Sequence, residues 1–169
     1  MMVPRHIAGS LVALTVLGAC ARHDQGDVRA VLDRWFSLGE AQYFYSSSAC
    51  SAAMYPVRGG GAKSALQIDT GIRPALAALA RRGEMAVAIS GQNPDQTFLD
   101  IMNADRPTGV AIQAAALGAR HCMDDATEGA FHAALSNADA LFVWHGGERA
   151  VVVFDPGQKA VFWASSDGG

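Results

Sequence analysis

The last thirty residues constrain the fold most tightly. Residues 141–144, 149–154 and 160–164 are three short β-rich runs, separated by His145-Gly146-Gly147-Glu148 and Asp155-Pro156-Gly157-Gln158, both made of turn-forming residues. Such spacing predicts an antiparallel three-strand meander. Successive side chains of a strand point to opposite faces, and here both faces are apolar. Val151 and Val153 share one and Val152 and Phe154 the other, while Ala160, Phe162 and Ala164 alternate with Val161 and Trp163. An antiparallel sheet ordinarily leaves one face to water. This one needs cover on both, either from helices of its own domain or, on one side, from a partner or a membrane.

Upstream, helical spacing recurs. Val28, Val31, Leu32, Trp35 and Phe36 form one face, with Asp24 or Asp27 placed to cap the helix and Gly39 to stop it. Ile72, Ala75, Leu76, Leu79 and Ala80 form another, between Thr70 as cap and Gly83 as stop, with Arg81 and Arg82 in the cation-favouring last turn. Asn93-Pro94-Asp95-Gln96 is a capping-box start for a helix burying Phe98, Ile101 and Met102, ended by Arg106-Pro107. Residues 108–122 are alanine-rich and read as helix despite Gly109 and Gly118. Asp125 with Glu128 starts a helix burying Phe131, Ala134 and Leu135. Between these lie strands at 43–45, 50–57 and 85–89, a glycine loop at 58–61, and a run at 64–68 that reads as a returning hairpin strand. About five helices mix with strands without regular βαβ alternation. The expected class is α+β, with an antiparallel sheet that includes the C-terminal meander.

Composition narrows the function classes. The chain has 169 residues, half of them hydrophobic and 17% charged, which excludes a disordered protein. A net charge of −3 argues against a nucleic-acid partner. No apolar run reaches the ~18 residues needed to span a bilayer.

The N-terminus has the order of a secretory signal: Arg5 and His6, an apolar stretch from Ile7 to Leu17 broken by Gly9 and Ser10, then small residues. Leu17-Gly18-Ala19-Cys20 resembles the lipobox of bacterial lipoproteins. That resemblance implies cleavage before Cys20, lipidation of its thiol, and, with Ala21 rather than Asp next, an outer-membrane destination facing the periplasm. The implied division is residues 1–19 as signal peptide, 20–26 as a short tether and 27–169 as one domain. Roughly six tether residues reach about 20 Å, holding the domain close to the membrane. Without Arg5 the mature chain has 12 basic and 16 acidic residues, a charge of −4. The globular part carries no motif of a family with an assigned activity.

In the oxidising compartment that the lipobox implies, Cys50 and Cys122 are expected to be disulfide-bonded. The bond would close a loop of about 73 residues and stabilise the fold by roughly 4 kcal/mol in the chain-entropy account. A free reactive thiol at Cys122, beside His121, is the alternative.

Motifs for chemistry are scarce. No H-E-x-x-H or C-x-x-C spacing is present, so no metal site is expected. Gly59-Gly60-Gly61-Ala62-Lys63-Ser64 fails as a phosphate loop, because Ala62 and Val57 stand where glycines are required. No G-x-S-x-G elbow occurs, although a Ser-His-Asp triad is recognised by geometry and not by order. The ligand candidates are His121, His132 and His145, the last beside Trp144 at a Gly-Gly turn. The expectation is a lipid-anchored envelope protein with a binding or structural role, no catalytic residues, no cofactor, and an envelope protein as a candidate partner. The competing reading is a small hydrolase or ligand-binding domain that uses His121 and His132.

Overall fold

The computed structural model describes residues 21–167. The signal peptide and Cys20 expected from the sequence lie outside the described residues. The class is α+β, with a mostly antiparallel sheet. Its strands are β1 (Phe36–Leu38), β2 (Tyr43–Ser46), β3 (Cys50–Ala62), β4 (Ile68–Asp69), β5 (Glu84–Val87), β6 (Leu141–His145), β7 (Ala150–Asp155) and β8 (Ala160–Ser166). The order across the sheet is β1-β3-β8-β7-β6-β5-β4, with β2 alongside β3, and only β4 and β5 run parallel. The helices are α1 (Gln25–Asp33), α2 (Ile72–Arg82), α3 (Pro94–Ala104), α4 (Arg106–Ala119) and α5 (Asp125–Leu135).

The meander forms as its turns predict, and its two apolar faces are both covered within the domain. Val151, Val153, Phe162 and Ala164 pack against α2, α3, α4 and α5 in one core, which also holds Phe98, Ile101, Ile112 and Phe131. Val152, Phe154, Val161 and Trp163 pack in a second core with Val28 and Leu32 of α1, Trp35, Phe36, Leu66 and Tyr55. Of the two ways to cover the sheet, the chain supplies its own.

Several local expectations change. Helix α1 ends at Asp33, not near Gly39. Lys63 donates from its backbone to Trp35 and from its side chain to the Asp33 carbonyl, which satisfies the helix end. Phe36 then packs on Phe154, 5.4 Å between ring centroids. Burial against the sheet is worth more than two further helical residues, so tertiary packing overrides the periodicity. The glycine run at 58–61 is not a loop between hairpin strands. Strand β3 continues through it to pair with β1, and the register shifts between Phe36 and Ser37. Gly59 (φ +78°) and Gly60 (φ +86°) adopt the left-handed conformations which that irregularity requires. The expected return strand at 64–68 shrinks to Ile68–Asp69, which pairs with β5 at the far edge. Gly71, not Thr70, precedes α2, and Asp124, not Asp125, caps α5 by accepting from the Thr127 N–H. The capping box at Asn93 and Gln96 forms as expected, and so does the left-handed Gly83 stop.

Candidate functional site

Helices α3, α4 and α5 each bring one side-chain stripe to a common groove. The stripes are Asp95, Phe98, Leu99 and Met102 on α3; Gln113, Ala116 and Leu117 with Arg120 just beyond α4; and Glu128, Phe131, His132 and Leu135 on α5. Every stripe has the spacing i, i+3, i+4, i+7, which puts its members on one face of a helix. The groove encloses about 300 Å³. Buried Phe98, Ala116, Phe131 and Leu135 form its floor. Ala116, the smallest of the four side chains, adds little bulk to that floor. Leu99 and Leu117 stand on the lips, 57% and 54% exposed, where their apolar surface has no cover.

The rim is polar. Arg120 and Glu128 pair with each other. Partial burial pushes the Asp95 carboxyl above the usual carboxylate range, and His132 pulls it back in part. Among the described residues, the buried side-chain atoms without a hydrogen-bond partner are Tyr55 Oη, Asp69 Oδ2 and Arg149 Nε, the last ion-paired with Asp167, and none of these residues lines the groove. The floor of the groove is apolar, a character that suits an apolar group.

The cysteine pair is joined: Cys50 and Cys122 are disulfide-bonded, tying β3 to the short 3-10 turn Arg120–Cys122 that follows α4. Tyr43 reinforces this corner by donating from its hydroxyl to the Cys122 carbonyl at 2.8 Å. His121 lines a second recess of about 520 Å³ beside the disulfide, with Ala49, Ala114, Leu117, Gly118 and Asp167. His132 lines the groove. The two candidate histidines thus serve different recesses that share the Leu117 wall. His145 closes the β6–β7 turn, where its Nδ1 accepts from the Glu148 N–H at 3.2 Å and its ring tilts against Trp35. Burial holds its pKa below the ordinary histidine value, with Glu84 opposing that shift.

The residue that sequence reasoning missed is His23. It lies in the segment 20–26 expected as a tether, yet residues 22–26 are bound into the domain. His23 Nδ1 is 2.7 Å from Ser51 Oγ and Nε2 is 3.0 Å from Glu148 Oε2. Its ring meets Trp163 edge-on at 5.3 Å, and its side chain is only 9% exposed. Serine, histidine and carboxylate in a row have the outline of a hydrolase triad. Ser51 decides otherwise: it is fully buried within the sheet and accepts the Trp163 indole N–H at 3.0 Å. One arrangement satisfies every group. Trp163 donates to Ser51, Ser51 donates to His23 Nδ1, and His23 Nε2–H donates to Glu148. No substrate carbonyl can reach that hydroxyl, so the array is a strut that pins the N-terminal segment. A lone histidine in a short polar stretch carries no periodicity, and only the folded neighbours reveal its role. Among the described residues, no cluster of three or more His, Cys, Asp or Glu could hold a metal, and no helix is long and apolar enough to cross a membrane. Set against known proteins, the chain matches no family model, no curated protein and no solved structure.

Proposed function

We propose that this chain is a lipid-anchored protein of the cell envelope, tethered through Cys20 to the outer membrane on its periplasmic side, and that its domain acts by binding an apolar group in the α3–α4–α5 groove. The groove carries the binding half of this reading. It is a concave site of about 300 Å³ whose interior is apolar and whose lips expose Leu99 and Leu117. The lipobox at residues 17–20 supports the anchor, and the disulfide is in keeping with an oxidising compartment.

A dye titration tests the groove. The domain with Cys20 replaced by Ser should enhance the fluorescence of 1-anilinonaphthalene-8-sulfonate in a saturable, single-site manner. Leu99→Glu should weaken that binding at least tenfold, because a charge on the lip must lose water when the dye docks. Equal binding by the two proteins would remove the groove as the site.

A further inference from the structure

One charge in the α3–α4–α5 groove is left over. The charged side chains that line it are Asp95, Arg120 and Glu128, with His132 beside them. Arg120 is ion-paired with Glu128, so those two cancel and Asp95 remains unbalanced. Asp95 lies in the first turn of α3, turned toward the groove by the same i, i+3, i+4 spacing that brings Phe98 and Leu99 there. Among the described residues, its carboxylate makes no ion pair or hydrogen bond; His132 on α5 acts on it through space.

The ligand chemistry follows from that charge and from the floor beneath it, where Phe98 and Phe131 are buried. A purely hydrocarbon ligand would cover the carboxylate, strip part of its water and return nothing. An anion would meet like charge. A positive head with N–H donors satisfies the site, because an ionised carboxylate only accepts hydrogen bonds and accepts most strongly from a cation. His132 in its neutral form offers a ring nitrogen as a second acceptor. The enclosed volume, about 300 Å³, is at the lower end for small-molecule sites and sets the scale of the tail.

We infer that the groove takes a small amphiphile with a primary ammonium head, the tail lying on Phe98 and Phe131 between the Leu99 and Leu117 lips and the head donating to Asp95 and His132. The inference rests on the apolar-binding reading above and adds the sign and donor character of the head. Asp95 stands on the rim with only part of its carboxyl buried. The head therefore contributes selectivity, and the floor contributes most of the binding.

Calorimetric titration of the Cys20→Ser protein with octylamine, 1-octanol and octanoate separates head from tail, at pH 8, where an alkylamine is still protonated. Octylamine should bind one equivalent, at least fivefold more tightly than 1-octanol, with octanoate the weakest. Asp95→Asn, which keeps the shape and removes the charge, should bring octylamine to the affinity of 1-octanol. Its 1-octanol affinity should stay that of the parent, which also shows the groove intact. Asp125→Asn removes an exposed carboxylate from the helix that carries His132, outside the groove, and should bind octylamine as the parent does. Equal affinity of the parent for octylamine and 1-octanol would overturn the inference. So would an octylamine preference that survives Asp95→Asn, or one that Asp125→Asn reduces equally, which would make the attraction a matter of net charge. The two readings fail separately. Dye and 1-octanol binding that Leu99→Glu weakens, with no gain for octylamine, sinks the head assignment alone. Dye and 1-octanol binding indifferent to Leu99→Glu sinks the groove and takes this inference with it.

Discussion

Asp155 shows how much one side chain at a turn can hold together. Buried at the end of β7, its Oδ1 accepts from Asn137 Nδ2 at 2.8 Å and from the Gly157 N–H at 2.8 Å, and its Oδ2 accepts from Gln158 Nε2 at 2.7 Å. Burial alone would raise its pKa, but the hydrogen bonds from Gln158, Asn137 and the backbone outweigh it and hold the carboxyl below the usual range. A depressed carboxylate contributes stability that is complete above the unfolded value of about 3.9 and is lost as pH falls through the folded value. His145 is depressed for the opposite reason, burial of what would be a cation. Its contribution is complete above about pH 6.5 and fades as pH falls below that. Stability followed by urea unfolding against pH should therefore decline in two stages on the acid side. His145→Asn, whose side-chain oxygen can still accept the Glu148 N–H, should remove the first stage. Asp155→Asn should flatten the second and cost on the order of 1–3 kcal/mol at pH 7. The cysteines act on the same scale. Replacing both Cys50 and Cys122 with Ser should lower stability by roughly 2–5 kcal/mol, a fall in Tm on the order of 10 °C; an unchanged melting curve would show the bond to be idle. That pair was legible in the chain because two cysteines remain once Cys20 is set aside. His23 was not, because its partners Ser51, Glu148 and Trp163 lie 28, 125 and 140 positions away.

Among the elements, the junction of α3 and α4 sets the shape of the groove. The two helices share Asp105 as the residue between them, and a Cβ built on Gly109 would stand 2.3 Å from the Met102 Cα. Gly109 weakens the helical reading of residues 108–122 on propensity alone. In the fold it is what lets α4 lie against α3, so the local cost is offset by packing. Gly109→Ala should push the helices apart, destabilise the domain by about 1–3 kcal/mol and weaken dye binding in the groove, since Met102 lines it. Loss of stability with unaltered dye affinity would show that the groove does not depend on this approach. Helix existence was legible wherever spacing and caps agreed, as at Asn93 and Gln96 or at Gly83. Boundaries failed where long-range packing competed, as at Trp35 and Phe36, which continue the periodicity of α1 but are taken into the sheet core. The three stripes of the groove are likewise visible as spacing. Which stripes face one another depends on how the helices pack over the sheet, and spacing within each helix does not contain that.

For the whole molecule, the doubly apolar meander posed a choice between self-cover and a partner, and the structure shows self-cover, with four helices on one face and α1 and β1 among the elements on the other. The sheet is therefore covered on both faces, and the binding proposed above would use the exposed leucines of the groove. The N-terminal segment is fixed to β8 and to the β6–β7 turn through Arg22 and His23, so a lipid at Cys20 would hold the domain in a set orientation rather than on a loose leash. The anchor is the claim on which the account turns, and membrane fractionation tests it most directly. The account predicts that the wild-type chain sediments with the outer membrane and that Cys20→Ser leaves it soluble. Wild-type and variant protein found together in the soluble fraction would contradict it.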